Sequence, residues 1–87
     1  MFNLIIERKA DKFITKLPQK TRRNIVEKIL DLREDPFPGG NKEKIEYSSP
    51  PAVYRLHVGR SFTVFYLIKT DKNIVKIEKI RTIKKGS

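Results

Sequence analysis

Arg55 and His57 lie two positions apart in the run V-Y-R-L-H-V, residues 53 to 58. In an extended strand that spacing puts both side chains on one face, about 7 Å apart by the rise per residue. Two such groups can flank a single phosphate. The arginine is a permanent cation, and histidine is the side chain that exchanges a proton near neutral pH. His57 is the only histidine in the chain, so it is the natural proton acceptor there. Arg60 follows in the next turn, and Arg81, Lys84 and Lys85 form a basic end suited to gripping phosphate. Phe65 offers a ring on which a base can stack. Each has an ordinary reading too: Arg55 as half of a surface salt bridge, His57 as an inert surface histidine, and the last lysines as a solvated, frayed end.

Charge supports a polyanionic or acidic partner. The chain has 20 Lys and Arg against 10 Asp and Glu, a net +10. The excess is uneven: residues 1 to 46 hold 11 basic and 8 acidic side chains, residues 47 to 87 hold 9 and 2. The second half therefore faces the polyanion, which selects nucleic acid or an acidic protein as partner class.

Other chemistries find little to build on. One histidine, no cysteine and no carboxylate cluster at ligand spacing give no metal site. Gly39 and Gly40 lack the Lys-Ser/Thr that a phosphate-binding loop needs, so they read as a turn. No cofactor is expected. Without a secretory signal or an apolar run of about 18 residues, the expected compartment is the cytosol, with no membrane partner.

The elements that must position these residues follow from periodicity. With 87 residues there is room for one core, so residues 1–87 read as a single domain. Phe2 to Arg8 reads as a buried strand. Ala10, Phe13, Ile14 and Leu17 recur at helical spacing, leaving Lys9, Lys12 and Lys16 to water, and Pro18 ends that helix. A second helix is expected from Gln19 to Glu34, on a stripe of Ile25, Val26, Ile29, Leu30 and Leu32. Pro36 and the P-F-P-G-G-N stretch then make a loop. Strands are expected at Lys44 to Tyr47, Val53 to Val58, Phe62 to Lys69 and Asn73 to Ile80, with Thr70 to Lys72 as a polar turn. The sum is an α+β fold: an amino-terminal strand, a helical hairpin, then an antiparallel meander of three to four strands.

Register between the Val53 and Phe62 strands decides the faces. A two-residue turn would mix polar and apolar residues on both. A three-residue loop at Gly59, Arg60 and Ser61 puts Tyr54, Leu56 and Val58 with Phe62, Val64, Tyr66 and Ile68, a coherent core. The reverse side then carries Arg55, His57, Thr63 and Phe65, and needs no helix over it. Leu67 joins that side, where it and Phe65 can meet bases or a partner's helix, or be covered by the chain's own terminal segment.

The segment V-Y-R-L-H-V-G-R-S-F-T-V-F-Y, residues 53 to 66, resembles the signature strand pair of the RelE/ParE toxins. Lys16-Leu17-Pro18 closing helix one, Leu32 and Pro36 closing helix two, and Lys44-Ile45 ahead of the signature fall in the family's order, so the resemblance spans nearly the whole chain. It implies a RelE-like domain with helices on one face of a twisted sheet and a cationic working face on the other. It also implies the toxin of a type II toxin–antitoxin system, held inactive by a cognate antitoxin. In the RelE branch such a toxin enters the ribosomal A site and cleaves messenger RNA, the 2′-hydroxyl attacking the adjacent phosphate, and so inhibits translation without a metal. Carried over by position, Arg55, His57 and Arg81 take catalytic roles and Lys84 and Lys85 contact RNA; Arg60, at a different backbone position in the turn, offers a substitute guanidinium, and Phe65 contacts RNA from the open face. Thr63 departs from the pattern, because active members usually place an arginine there. The family's terminal tyrosine is also missing.

Three functions stay open at this point. The first is the ribosome-dependent endoribonuclease. The second is a ParE-like poison of DNA gyrase, which Thr63 and the missing tyrosine favour. The third is a nonenzymatic RNA-binding protein that keeps the fold and charge.

Overall fold

The computed structural model describes residues 1–45 and 50–83. Its elements are β1 (Asn3–Ile6), α1 (Arg8–Thr15), α2 (Gln19–Asp31), β2 (Lys42–Lys44), β3 (Val53–Val58), β4 (Phe62–Lys69), a 3-10 turn (Thr70–Lys72) and β5 (Ile74–Thr82). The strands form one sheet in the order β1-β5-β4-β3-β2. Strands β2 to β5 are the expected antiparallel meander. Strand β1 adds to its edge parallel to β5, pairing Asn3 with Ile74 and Ile6 with Ile77, so the sheet is mixed and five-stranded.

The helices cover one sheet face. Ala10 and Ile14 of α1 and Ile25 and Ile29 of α2, with Leu32 just beyond, pack against Leu56, Val58, Val64, Tyr66, Val75, Ile77 and Ile80 of the sheet. Phe13 joins from the side, as the spacing of α1 predicts, and Leu17 joins from just beyond the helix, which ends at Thr15 and not at Pro18. Each fully buried aliphatic side chain here contributes about 1.5–3 kcal/mol. That apolar surface holds the helical layer down, because neither helix has a side-chain cap on its first turn. Tyr66 is wholly buried, stacks on Tyr54 with ring centroids 5.6 Å apart, and donates its hydroxyl proton to the Pro36 carbonyl at 2.8 Å. This last bond pins the loop after α2 to the sheet.

Several boundaries differ from expectation. Strand β1 stops at Ile6, because Arg8 already begins α1. Helix α2 ends at Asp31 rather than Glu34: the Leu32 amide bonds to the Ile29 carbonyl and the chain tightens, which turns Leu32 and Pro36 inward. Leu30, placed in the apolar stripe, is 36% exposed. Strand β2 occupies Lys42–Lys44 instead of Lys44 to Tyr47, and Glu46 and Tyr47 lie outside the described residues.

The Val58–Phe62 pairing confirms the three-residue loop. Gly59 opens it with φ 59°, a left-handed conformation that glycine adopts without strain. Strand β5 holds a feature the alternating reading passes over. Phe65 faces Lys79 but Tyr66 faces Ile77, so Glu78 is an extra residue, a β-bulge. The bulge lets Val75 and Ile77 on one side of it and Ile80 on the other all reach the core. It thereby sends Lys79 and Arg81 to the open face.

Candidate nucleic-acid interface

The open face is organised in cross-strand rows. One row runs Glu43, Arg55, Phe65, Lys79 across β2, β3, β4 and β5. The next runs His57, Thr63, Arg81. With neighbouring strands about 4.8 Å apart, the backbones of His57 and Arg81 lie roughly 10 Å from each other. The side chains of Arg55 and His57 are 40% and 39% exposed, and Arg81 is exposed. Strand alternation and the bulge thus bring Arg55, His57 and Arg81 to one solvent-facing surface.

The sequence reading missed Glu43. Its Oε1 accepts a bond from Arg55 Nη2 at 2.6 Å and lies 3.1 Å from His57 Nε2. The hydrogen bond from His57 and the charge of Arg55 hold its carboxyl below the ordinary 4.5. Glu43 is therefore ionised at neutral pH, and with that partner His57 presents Nε2 as the donor. The ordinary reading of Arg55 as half of a salt bridge is present in the structure, on the same face as the other cations. No signal in K-E-K-I-E marked Glu43, because a three-residue edge strand has too few positions to show alternation.

Thr63 is 6% exposed, the one buried polar side chain among the described residues. It forms the floor between His57 and Arg81 and supplies no charge. Lys79 Nζ stands over the Phe65 ring, 5.1 Å from its centroid, a cation–π contact that occupies one ring face. Beyond Phe65 the face becomes a groove of about 630 Å³ lined by Ile45, Val53, Phe65 and Lys76, among others. There Lys76 Nζ is 2.9 Å from Glu7 and 3.9 Å from Glu78. The Glu7 hydrogen bond, then its charge, raises the Lys76 pKa above the ordinary 10.5. Leu67, on this same face, is 6% exposed.

Arg60 is placed elsewhere. It lines a cleft with Lys20, Thr21 and Asn24 of α2 and with the core-side residues Val58 and Phe62, so it sits on the helical side of the sheet, apart from the Arg55 row. Lys84 and Lys85 lie outside the described residues. No helix among the described residues is long and apolar enough to cross a membrane.

Residues 4–84 match the sequence profile of a family described as ParE toxin of type II toxin-antitoxin system, parDE. No curated protein gives a significant sequence match. The fold is similar to that of the isolated E. coli RelE toxin, with TM-score 0.80 and 18% identity over 100% of this chain and 89% of that one. It is also similar to a chain of the archaeal RelE-RelB complex from Pyrococcus horikoshii OT3, with TM-score 0.79 and 23% identity over 98% of both chains. A third likeness is to the toxin-antitoxin complex RelBE2 from Mycobacterium tuberculosis, with TM-score 0.77 and 18% identity over 94% of this chain and 98% of that one. At such identities the likeness is one of fold.

Proposed function

We propose a function on the premise that this chain belongs to the family of ParE toxins of type II toxin–antitoxin systems, parDE. It is a toxin of the RelE/ParE group, and its partner is an antitoxin, as in the RelE-RelB and RelBE2 complexes that share its fold. Its target is messenger RNA on the ribosome, which it cleaves as a metal-independent endoribonuclease in the cytoplasm. The observation that carries this reading is the set of Arg55, His57 and Arg81 on one exposed sheet face, with an ionised carboxylate seated between the first two.

The chemistry asks for a proton acceptor, cations around the phosphorane and a proton for the leaving oxygen. His57 takes the 2′-hydroxyl proton on its other nitrogen, Nδ1, since Nε2 carries the proton it donates to an anionic oxygen, that of Glu43 in the free chain. As the O2′–P bond forms, Arg55 and Arg81 bear the negative charge that gathers on the phosphoryl oxygens. The P–O5′ bond then breaks, and the 5′-oxygen takes a proton from solvent water or the imidazolium. Phe65, already under Lys79, offers an apolar support for a neighbouring base.

A second reading, a ParE-like poison of DNA gyrase, is favoured by two observations. The matching family profile is that of ParE toxins, and Thr63, where the resemblance calls for an arginine, is buried and uncharged. One experiment separates the two readings. The toxin is induced without its antitoxin, and message ends are mapped on ribosomes while chromosomal DNA is examined for breaks. Cuts within translated messages, lost in Arg55→Ala and Arg81→Ala variants, support the nuclease. Intact messages with broken DNA overturn it in favour of gyrase.

A further inference from the structure

We propose that the Glu43 carboxylate is a tethered occupant of the phosphodiester site on Arg55 and His57, and that RNA must displace it to bind. This deepens the RNA reading and rests on it for the identity of the ligand. Three observations carry it.

A single carboxylate oxygen, Oε1, is held by both Arg55 Nη2 and His57 Nε2. Two donors converging on one anionic oxygen form the contact that a non-bridging phosphate oxygen would make. The site is therefore filled by an anion from the chain itself.

The occupant fits only half of the guanidinium. Glu43 uses Nη2, while Arg55 Nε is shielded from water and has no hydrogen-bond partner among the described residues. A buried donor without an acceptor costs free energy. Phosphate presents two oxygens on one centre and can take Nη2 and Nε side by side. RNA thus offers Arg55 a bond that Glu43 leaves unmade.

The occupant is also easy to move. Glu43 is 48% exposed and sits on the three-residue edge strand β2, so rotating its side chain away disrupts no apolar packing. Once it swings out, Lys79 and Arg81 of β5, on the same face and two strands from β3, are cations that favour the incoming polyanion. Glu43 acts as a filter: an isolated or weakly charged anion does not repay its displacement, whereas a phosphate chain meeting several cations does.

The test measures binding of a short single-stranded RNA carrying 2′-O-methyl groups, which cannot be cut, to the full chain over a range of salt concentrations. Glu43→Gln should tighten binding by about two- to fivefold, the worth of an exposed ion pair. It should also steepen the slope of log K against log salt by about 0.7, one extra phosphate contact. Glu78→Gln removes the same charge from the same face without touching Arg55, and should gain less. In an Arg55→Ala background the gain from Glu43→Gln should vanish. Equal gains from the two Gln variants, or no gain from Glu43→Gln in protein of unchanged melting temperature, would overturn the proposal. The NMR signal of the sole imidazole, His57, should shift on adding inorganic pyrophosphate at lower concentration in Glu43→Gln than in the unaltered chain. That readout needs no RNA cleavage. Messages left intact in cells alongside the pyrophosphate result would sink the nuclease reading and leave the tethered carboxylate standing.

Discussion

Thr63 faces Arg81 across the ladder between β4 and β5, and His57 faces Thr63 from the other side. The buried threonine thus lies between two basic side chains that reach solvent. Arg55→Ala and Arg81→Ala should each lower affinity for single-stranded RNA and reduce the salt slope by about 0.7. Neither should move the folded stability by more than about 0.5 kcal/mol, since both side chains reach solvent. Fluorescence anisotropy at several salt concentrations checks the first effect and urea denaturation the second. Unchanged slopes in both variants would remove these residues from the interface.

The bond from Tyr66 to the Pro36 carbonyl joins the sheet to the loop that leads into β2. Tyr66→Phe keeps the ring and its stack on Tyr54, but leaves a buried carbonyl without its donor. The expected loss is about 1–2 kcal/mol. It should appear as a lower urea midpoint with an unchanged dependence on denaturant. A midpoint equal to that of the unaltered chain would mean that water replaces the hydroxyl.

Much of this arrangement was legible in the residues, for a physical reason. Where a strand is long, as in β3 and β4, segregation of Leu56, Val58, Val64 and Tyr66 from Arg55, His57 and Thr63 permits one register only, and both strands came out with the expected ends. Short edge segments do not carry such information. Three residues of β2 are set by pairing with β3, not by their own pattern, so Glu43 and its contacts were invisible. The side taken by Arg60 depends on how the loop opened by Gly59 bends toward α2, which no alternation encodes. The bulge at Glu78 did leave a trace: Val75, Ile77 and Ile80 break a strict period of two, and a break of one residue inside an apolar strand is what a bulge looks like in sequence.

The pH dependence of stability has two limbs with opposite signs. Glu43 has a folded pKa below its ordinary 4.5, so its contribution is complete above that value and is lost as pH falls through the folded one. On the alkaline side, Lys76 is raised above 10.5 by Glu7. Tyr66 is raised above 10.0, first by burial and then by Tyr54 and Asp35. Both contributions are complete below those values and are lost as the unfolded chain deprotonates more readily than the folded one. Stability measured from pH 2 to 11 should therefore fall at both ends. Glu43→Gln should flatten the acid limb and Tyr66→Phe the alkaline one. An acid limb unaffected by Glu43→Gln would show that other carboxylates set it.

Glu78 is the surplus residue of the ladder between β4 and β5, so the register can close over its loss. Without it, Ile77 would still face Tyr66, Lys79 would still face Phe65, and Ile80 would still face Val64. The same three apolar residues reach the core and the same two cations reach the open face, now in a regular ladder. Deleting Lys76 instead removes a residue from regular pairing and sets Val75 directly against Ile77 in sequence. One of the two must then leave the core, and Ile5 of β1 loses its partner. The Glu78 deletion should fold with a melting temperature within a few degrees of the unaltered chain, while the Lys76 deletion should lose several kcal/mol, the cost of displacing a buried aliphatic side chain. Circular dichroism melts of the two deletions give the comparison. If removing Glu78 unfolds the chain as thoroughly as removing Lys76, the bulge does more than accommodate an extra residue, and the strand twist it imposes is needed to seat the helices.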